Sequence, residues 1–154
     1  MRKLLLAAAL AVVASGASAQ DSKVFGTWLT ASGTAQVKLG PCADAASGAL
    51  CGFVVGLNNP KGPDGKVVTP GEATDFRNAD PKLRERKVIG MPLIWGFKKG
   101  GNANAFEGGQ IYNGEDGKIY SANVDLETDG RLKLRGYVGS PMFGQTQYWT
   151  RVGQ

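Results

Sequence analysis

Histidine is absent from all 154 positions of the chain. It is the usual general base beside a serine or cysteine nucleophile and a common zinc ligand, so Ser-His pairs, Cys-His pairs and histidine metal centres are excluded. The Gly-x-Ser-x-Gly pattern is also lacking, and the Walker-like string GPDGK at 62–66 lies in a proline-rich loop, which favours a turn. We expect a protein that is not an enzyme and holds no metal or cofactor.

Paired carboxylates are the remaining route to catalysis. Asp75, Asp80 or Glu85 would be the candidates for a hydrolase of that kind. Acids in a polar loop are usually solvated, and Asp80 lies where a helix cap is expected. The hydrolase therefore stays a minor alternative.

Cysteine is scarce, with Cys42 and Cys51 separated by eight residues. In an oxidising compartment two such cysteines favour a disulfide, and two thiols without histidine are too few for a metal site. Closing so short a loop stabilises the fold by roughly 2–3 kcal/mol in the chain-entropy model.

The chain also has little net charge, although 20% of its residues are charged. Its net charge of +5 falls to +3 without Arg2 and Lys3, and its basic residues are scattered, so nothing indicates a nucleic-acid partner.

The N-terminal residues have the pattern of a signal peptide. Arg2 and Lys3 precede an apolar run at 4–13 that is too short to span a bilayer, and Ala17-Ser18-Ala19 follows. We expect cleavage after Ala19, no stable membrane insertion, and export to the periplasm or the medium. An N-terminal membrane anchor is the alternative. Residues 20–154 then form a single domain.

The C-terminal half shows the period-two alternation of β-strands with one buried face. Tyr120, Ala122, Val124 and Leu126 share one face of a strand, and Leu132, Leu134 and Val138 share one face of the next. Compact turns with Asp-Gly at 113–118 and 127–131, and a link at 139–144, separate the strands. The run 105–152 is predicted to be a four-stranded antiparallel meander.

The N-terminal half predicts strands near 24–30, 34–39, 50–57 and 89–98, with a loop at 58–86. In that loop DPKLRER predicts a short helix, capped by Asp80 with Pro81 at its first position. Eight strands joined mainly by hairpins predict an all-β, up-and-down antiparallel barrel, and a sandwich is the alternative.

The stretch Gly26-Thr27-Trp28 resembles the Gly-x-Trp start of lipocalins and fatty-acid-binding proteins. In lipocalins this tryptophan packs across the closed end of the barrel against a late arginine, a position that Arg151 matches here. The resemblance implies a structural cation–π pair of Trp28 and Arg151.

A longer series of residues, over about 24–152, resembles the secreted bacterial family known as domain of unknown function 2147. The residues that carry this resemblance in the first half are Leu50, Cys51, Gly52, Asp75, Asn78, Asp80, Pro81, Leu83, Arg84, Arg86 and Gly90. In the second half they are Gly108, Gly109, Ile111, Tyr112, Gly117, Lys118, Tyr120 and the segments 132–139 and 143–151. Ala79 stands where family members often carry proline. The resemblance implies a lipocalin-like barrel exported from a Gram-negative cell, and it implies no reaction.

Binding of a small hydrophobic or amphipathic molecule, such as a fatty acid, in a cavity inside the barrel is the function that these features favour. The expected lining residues are Trp95, Phe97, Tyr112, Tyr120 and Val124. Arg84 and Arg86 are candidates to hold an anionic headgroup, and a solvated helix face with an Asp80–Arg84 ion pair is the alternative.

A packed barrel without a cavity is equally compatible with the alternation of apolar and polar residues along the strands. Such a barrel would act through its surface as an interaction or structural component of the cell envelope. An exposed Met142-Phe143 patch would favour it.

Overall fold

The computed structural model describes residues 22–153, so the predicted signal peptide and its cleavage site lie outside the described residues. The described chain forms nine β-strands, and its helical structure is limited to three single 3-10 turns. The strands are β1 Gly26–Leu29, β2 Ala35–Gly40, β3 Cys51–Leu57, β4 Pro92–Trp95, β5 Lys98–Lys99, β6 Ala105–Asn113, β7 Lys118–Leu126, β8 Leu132–Tyr137 and β9 Gln145–Gly153. No helix in this part of the chain has the length and apolarity needed to cross a membrane.

Consecutive strands pair antiparallel except β4 and β5, and two further pairings close the ring. β9 pairs with β1, and β4 pairs with β6 through Ile94 opposite Ile111. The two-residue β5 continues along the same partner, β6, after an interruption at Gly96 and Phe97. Eight strands therefore make a closed antiparallel barrel, as predicted, and the sandwich is excluded.

The barrel interior is filled by large side chains. The most completely buried of them are Trp28, Trp149, Phe97, Phe106, Leu39, Leu50, Ile94, Leu132 and Leu134. Phe97 fits because Gly109 leaves room for it: a Cβ on Gly109 would lie 2.1 Å from the phenyl ring.

The predicted pair of Trp28 and Arg151 is present where the N-terminal segment meets the first and last strands. The guanidinium lies 4.2 Å from the ring of Trp28, and the indole Nε1 donates to the carbonyl of Val24 at 2.8 Å. Arg151 also donates to the carbonyl of Phe25 at 3.1 Å. A Cβ on Gly26 would lie 2.5 Å from the Arg151 Nη1, so the glycine of the Gly-x-Trp motif makes room for the arginine.

The predicted disulfide between Cys42 and Cys51 closes the loop between β2 and β3. Within this loop the Asp44 carboxylate accepts the backbone N–H of Ser47 at 2.8 Å and caps a 3-10 turn. The loop is fastened to the segment after β4, since the N–H of Ala49 donates to the carbonyl of Phe97 at 2.7 Å.

We expect the double substitution Cys42→Ser and Cys51→Ser to lower the free energy of unfolding by about 2–3 kcal/mol. The reason is that the loop gains freedom in the unfolded state, while its backbone contacts to Phe97 remain in the folded state. Urea unfolding with and without a reductant measures this. A reductant should shift the midpoint of the native protein toward that of the variant and leave the variant unchanged, and equal midpoints would contradict the expectation.

Three expectations for the chain were wrong. Residues 80–86 contain one 3-10 turn, Pro81–Leu83, instead of a helix. Asp80 does cap it by accepting the N–H of Lys82, but the carbonyl of Arg86 accepts the N–H of Asp75. Residues 84–86 form a turn, and Lys87 then pairs with Thr74 in an isolated β-bridge, so no helix continues.

The second error concerns Val138, which was placed on the buried face with Leu132 and Leu134. Those two leucines are buried, but β8 ends at Tyr137 and Val138 is exposed. The single strand predicted at 89–98 is also divided, into β4 and β5.

Candidate functional site

A groove of about 940 Å³ crosses the outer surface of the barrel. Successive residues of a strand point to opposite faces, so Phe53 lies outside while Gly52 and Val54 face the core. On β6, Tyr112 likewise points to the outer face, whereas its neighbour Ile111 points to the core. Tyr112 pairs with Ile119 on β7. The large apolar residues that line the groove are Phe53, Leu83, Pro92, Ile94, Trp95, Tyr112 and Ile119.

One wall of the groove comes from the long connection between β3 and β4, residues 58–91. This segment doubles back on itself: the N–H of Asp75 donates to the carbonyl of Arg86 at 3.0 Å, and the N–H of Val88 donates to the carbonyl of Ala73 at 3.1 Å. The loop therefore has a fixed hydrogen-bonded frame.

The same connection is fastened to the turn between β6 and β7. The N–H of Ala79 donates to the carbonyl of Gly117 at 3.0 Å. Gly117 has a φ of +72°, and a Cβ there would lie 1.8 Å from the carbonyl oxygen of Arg77. The loop and the turn approach so closely that only glycine fits at the contact.

Asp75 is the centre of a polar cluster beneath the loop, and its side chain is 2 % exposed. Arg86 Nε donates to its Oδ2 at 2.9 Å, Arg86 Nη2 lies in an ion pair 2.9 Å from the same oxygen, and the Asn78 amide donates to it at 2.7 Å. The Tyr112 hydroxyl donates to Oδ1. The carboxylate is thus compensated by one cation and two neutral donors, which is the condition for burying a charge.

The partners of Asp75 are themselves held in place. The Asn78 side-chain oxygen accepts the N–H of Asp80 at 2.8 Å, and the Asn78 carbonyl accepts from Arg84 Nε at 2.9 Å. The pKa of the Tyr112 phenol is raised above its ordinary value. Burial is the largest cause, and the hydrogen bond to Asp75 is the second. Tyr112 therefore stays a protonated donor at neutral pH.

The structure brings some of the predicted site residues together. Trp95, Tyr112 and Arg86 all line the groove, and the Trp95 indole donates to the Gln110 side chain at 2.7 Å. Arg84 contacts the backbone of Asn78 next to the groove, instead of pairing with Asp80.

Other predicted site residues lie elsewhere. Phe97 and Val124 are fully buried in the core. Tyr120 is partly buried, and its hydroxyl donates to the Asp116 carboxylate at the β6–β7 turn.

Sequence reasoning missed the role of Asp75 and Asn78, which it treated as loop residues, and the exposed Phe53, Leu83 and Ile119. One signal was available in the string CGFVVGL, which is apolar on both faces of its strand. A strand with two apolar faces is typical of a sheet that is covered on both sides. Here the outer face of β3 is only partly covered: Phe53 lines the groove, and Phe53 and Val55 are each 46% exposed.

In residues 22–153 no cluster of three or more acidic or cysteine side chains has the geometry of a metal site. Every buried side-chain nitrogen or oxygen in that range has a hydrogen-bond partner. The buried polar groups thus form complete networks in the folded protein.

Comparison with known proteins agrees with this architecture. A solved structure described as "Protein HP1028 from the human pathogen Helicobacter pylori belongs to the lipocalin family" is similar with a TM-score of 0.63. The two chains are 22% identical, and the match covers 85% of this chain and 84% of that one. No curated protein matches the sequence. The model of a family described as "Uncharacterized protein conserved in bacteria (DUF2147)" matches residues 26–151, so the chain belongs to the family known as domain of unknown function 2147.

Proposed function

We propose that this protein is an exported, non-enzymatic binding protein for a small hydrophobic or amphipathic molecule, which it holds in the groove on the outside of its barrel. The observation that carries the proposal is the groove itself, about 940 Å³ and lined mainly by aromatic and aliphatic side chains. Sites for small molecules are typically concave and apolar, with a few fixed polar groups.

The polar groups of the groove support an amphipathic ligand such as a fatty acid. Arg86 and Lys118 line it together with Asp80. Arg86 uses Nε and Nη2 for Asp75, which fixes the guanidinium and leaves Nη1 as a further donor on a side chain that is 28% exposed. A carboxylate headgroup could accept from Arg86 and Lys118 while its chain lies along Phe53 and Ile119.

The chemistry of the cluster supports a role without catalysis. The Asp75 carboxylate accepts hydrogen bonds from three residues, so it is poorly suited to take a proton from a substrate. The disulfide of Cys42 and Cys51 supports export to the periplasm or the medium, because disulfides persist in oxidising compartments.

Tryptophan fluorescence tests the proposal without labelling. Trp28 and Trp149 are buried in the core, whereas Trp95 lines the groove, so quenching by acrylamide reports mainly on Trp95. We expect dodecanoic acid to protect Trp95 from acrylamide in a saturable manner. The variant Trp95→Phe should abolish this protection while leaving the emission of the two buried indoles.

Phe53 and Val55 offer a matched pair of variants, because both lie on β3 with 46% exposure and only Phe53 lines the groove. We expect Phe53→Asp to weaken binding about tenfold or more, since a buried phenyl contact contributes about 1.5–3 kcal/mol. Val55→Asp should bind as the native protein does. Equal effects of the two variants, or no saturable protection of Trp95 by dodecanoic acid, would count against the groove as the site.

A surface role is the second candidate function. It is favoured by the exposed loop between β8 and β9, where Met142 and Phe143 project into solvent.

A further inference from the structure

The first half of β9 is an open sheet edge. β9 pairs with β1 only from Thr150 onward, with Leu29 opposite Thr150, whereas residues 145–149 are in register with β8 alone. Gln145 to Tyr148 are all exposed, so neither face of this part of the strand is covered. Strands in a barrel are staggered, and this stagger leaves the β8–β9 hairpin extending beyond its neighbour β1.

This edge has none of the charged residues that usually prevent strand pairing between molecules. No charged residue occurs in the fifteen positions 136–150, in a chain where 20% of all residues are charged. Natural edge strands are commonly protected by lysine, proline, bulges or a covering segment. Arg131, which stacks 4.2 Å from the Tyr148 ring, is paired with Asp129 at 2.8 Å, so its charge is largely compensated.

The loop beside this edge presents an apolar tip made of Val138, Met142 and Phe143, which are 73–79% exposed. Arg135 holds its backbone, with Nε donating to the Pro141 carbonyl at 2.7 Å and Nη2 to the Met142 carbonyl at 3.3 Å. An ordered backbone lowers the entropic cost of docking, and large exposed apolar groups next to each other mark interaction sites.

We propose that two copies of this chain associate by antiparallel pairing of their β9 edges. The edge sequence Gln145-Thr146-Gln147 is symmetric about Thr146. With the two-fold axis at Thr146, each Gln145 lies opposite Gln147 of the second copy, and the two Thr146 residues lie opposite each other. Threonine pairs and amide pairs stabilise such contacts, and the paired residues themselves are uncharged. The nearest charge in each copy is the Arg135 guanidinium, which lies 2.8 Å from the Thr146 hydroxyl of its own chain.

A second copy fits this edge because an isologous interface needs a surface that complements itself. The symmetric, uncharged edge meets that condition. The apolar tip, Met142 and Phe143, lies directly before the paired strand in each copy, so pairing brings the two tips toward the partner's sheet. Neither element belongs to the groove, so the association is independent of ligand binding.

Sedimentation equilibrium of the purified protein, from low micromolar to millimolar concentration, tests the proposal. We expect a reversible transition from one chain to two. Thr146→Lys should weaken it about tenfold or more by placing two ammonium groups face to face, whereas Thr146→Val should dimerise as the native protein does. The two variants are matched, because both lose the 2.8 Å hydrogen bond that Arg135 Nη1 donates to the Thr146 hydroxyl.

The tip is tested in the same way by Met142→Asp, with Val67→Asp in the distant 58–91 loop as the control for an added exposed charge. We expect Met142→Asp to weaken the dimer and Val67→Asp to leave it unchanged, with circular dichroism melts confirming that each variant is folded. A protein that stays a monomer at every concentration overturns the proposal. So does a dimer that neither Thr146→Lys nor Met142→Asp weakens.

Discussion

Asp75→Asn is expected to lower the free energy of unfolding by about 3–5 kcal/mol, the usual effect of breaking a buried charge pair. An asparagine at 75 has one oxygen in place of two, so its NH2 group must face one of the donors from Arg86, Asn78 or Tyr112. Arg86 also loses its counter-ion. The stability of a domain of this size is about 5–15 kcal/mol, so urea unfolding will resolve the effect easily.

Asp129→Asn is the control, because Asp129 makes a similar contact to Arg131 at 2.8 Å while about half of each side chain is exposed. Its effect should stay below about 1 kcal/mol. A double-mutant cycle of Asp75→Asn with Arg86→Met isolates the pair, and the double variant should lose less stability than the sum of the single variants. An Asp75→Asn protein as stable as Asp129→Asn would show that the buried cluster contributes little.

The C-terminal meander could be predicted from sequence because its strands have one apolar and one polar face. Leu132 and Leu134 alternate with Lys133 and Arg135, and in the structure the two leucines are buried. A period-two pattern of this kind leaves one register in which all apolar groups are inside. The prediction failed at Val138, where the same alternation continues past the end of the strand.

The candidate site could be predicted only in part, because it depends on contacts between distant segments. Asp75 and Tyr112 are 37 positions apart, and nothing in the local pattern of residues 58–86 distinguishes a buried carboxylate from a solvated one. The family resemblance did pick out Asp75, Asn78 and Arg86, but it gave them no role. Their role follows from the loop, which folds over the outer face of the barrel.

The expected helix at 80–86 failed for the same reason. Its local signals were genuine, since Asp80 caps a turn and Pro81 begins it. The backbone of Arg86 is engaged by Asp75 eleven positions earlier, and Arg84 binds the carbonyl of Asn78. Tertiary hydrogen bonds outweighed the weak preference of a seven-residue segment, which is too short to form a stable helix alone.

Gly117→Ala is expected to lower the free energy of unfolding by about 2–5 kcal/mol and to release the loop from the β6–β7 turn. An alanine with positive φ costs about 1–2 kcal/mol, and overpacking adds about 1–3 kcal/mol. The obstructing atom is the backbone oxygen of Arg77, which can move only if the loop moves with it. Asn78 and Ala79 follow Arg77 directly in the chain, so they move with it and the groove wall opens. We therefore expect Trp95 to become more accessible to acrylamide.

Gly130→Ala is the matched control, because Gly130 also has a positive φ, +85°, but a Cβ there would meet no atom within 4 Å. It carries the backbone strain without the clash, so we expect a loss of about 1–2 kcal/mol and no change in Trp95 quenching. The difference between the two variants therefore measures how firmly the loop is held against the barrel. The contrary result is that the two variants lose the same free energy of unfolding and show the same acrylamide quenching of Trp95. That result would mean that the loop yields freely at Gly117 and that the groove wall is far less rigid than its hydrogen bonds indicate.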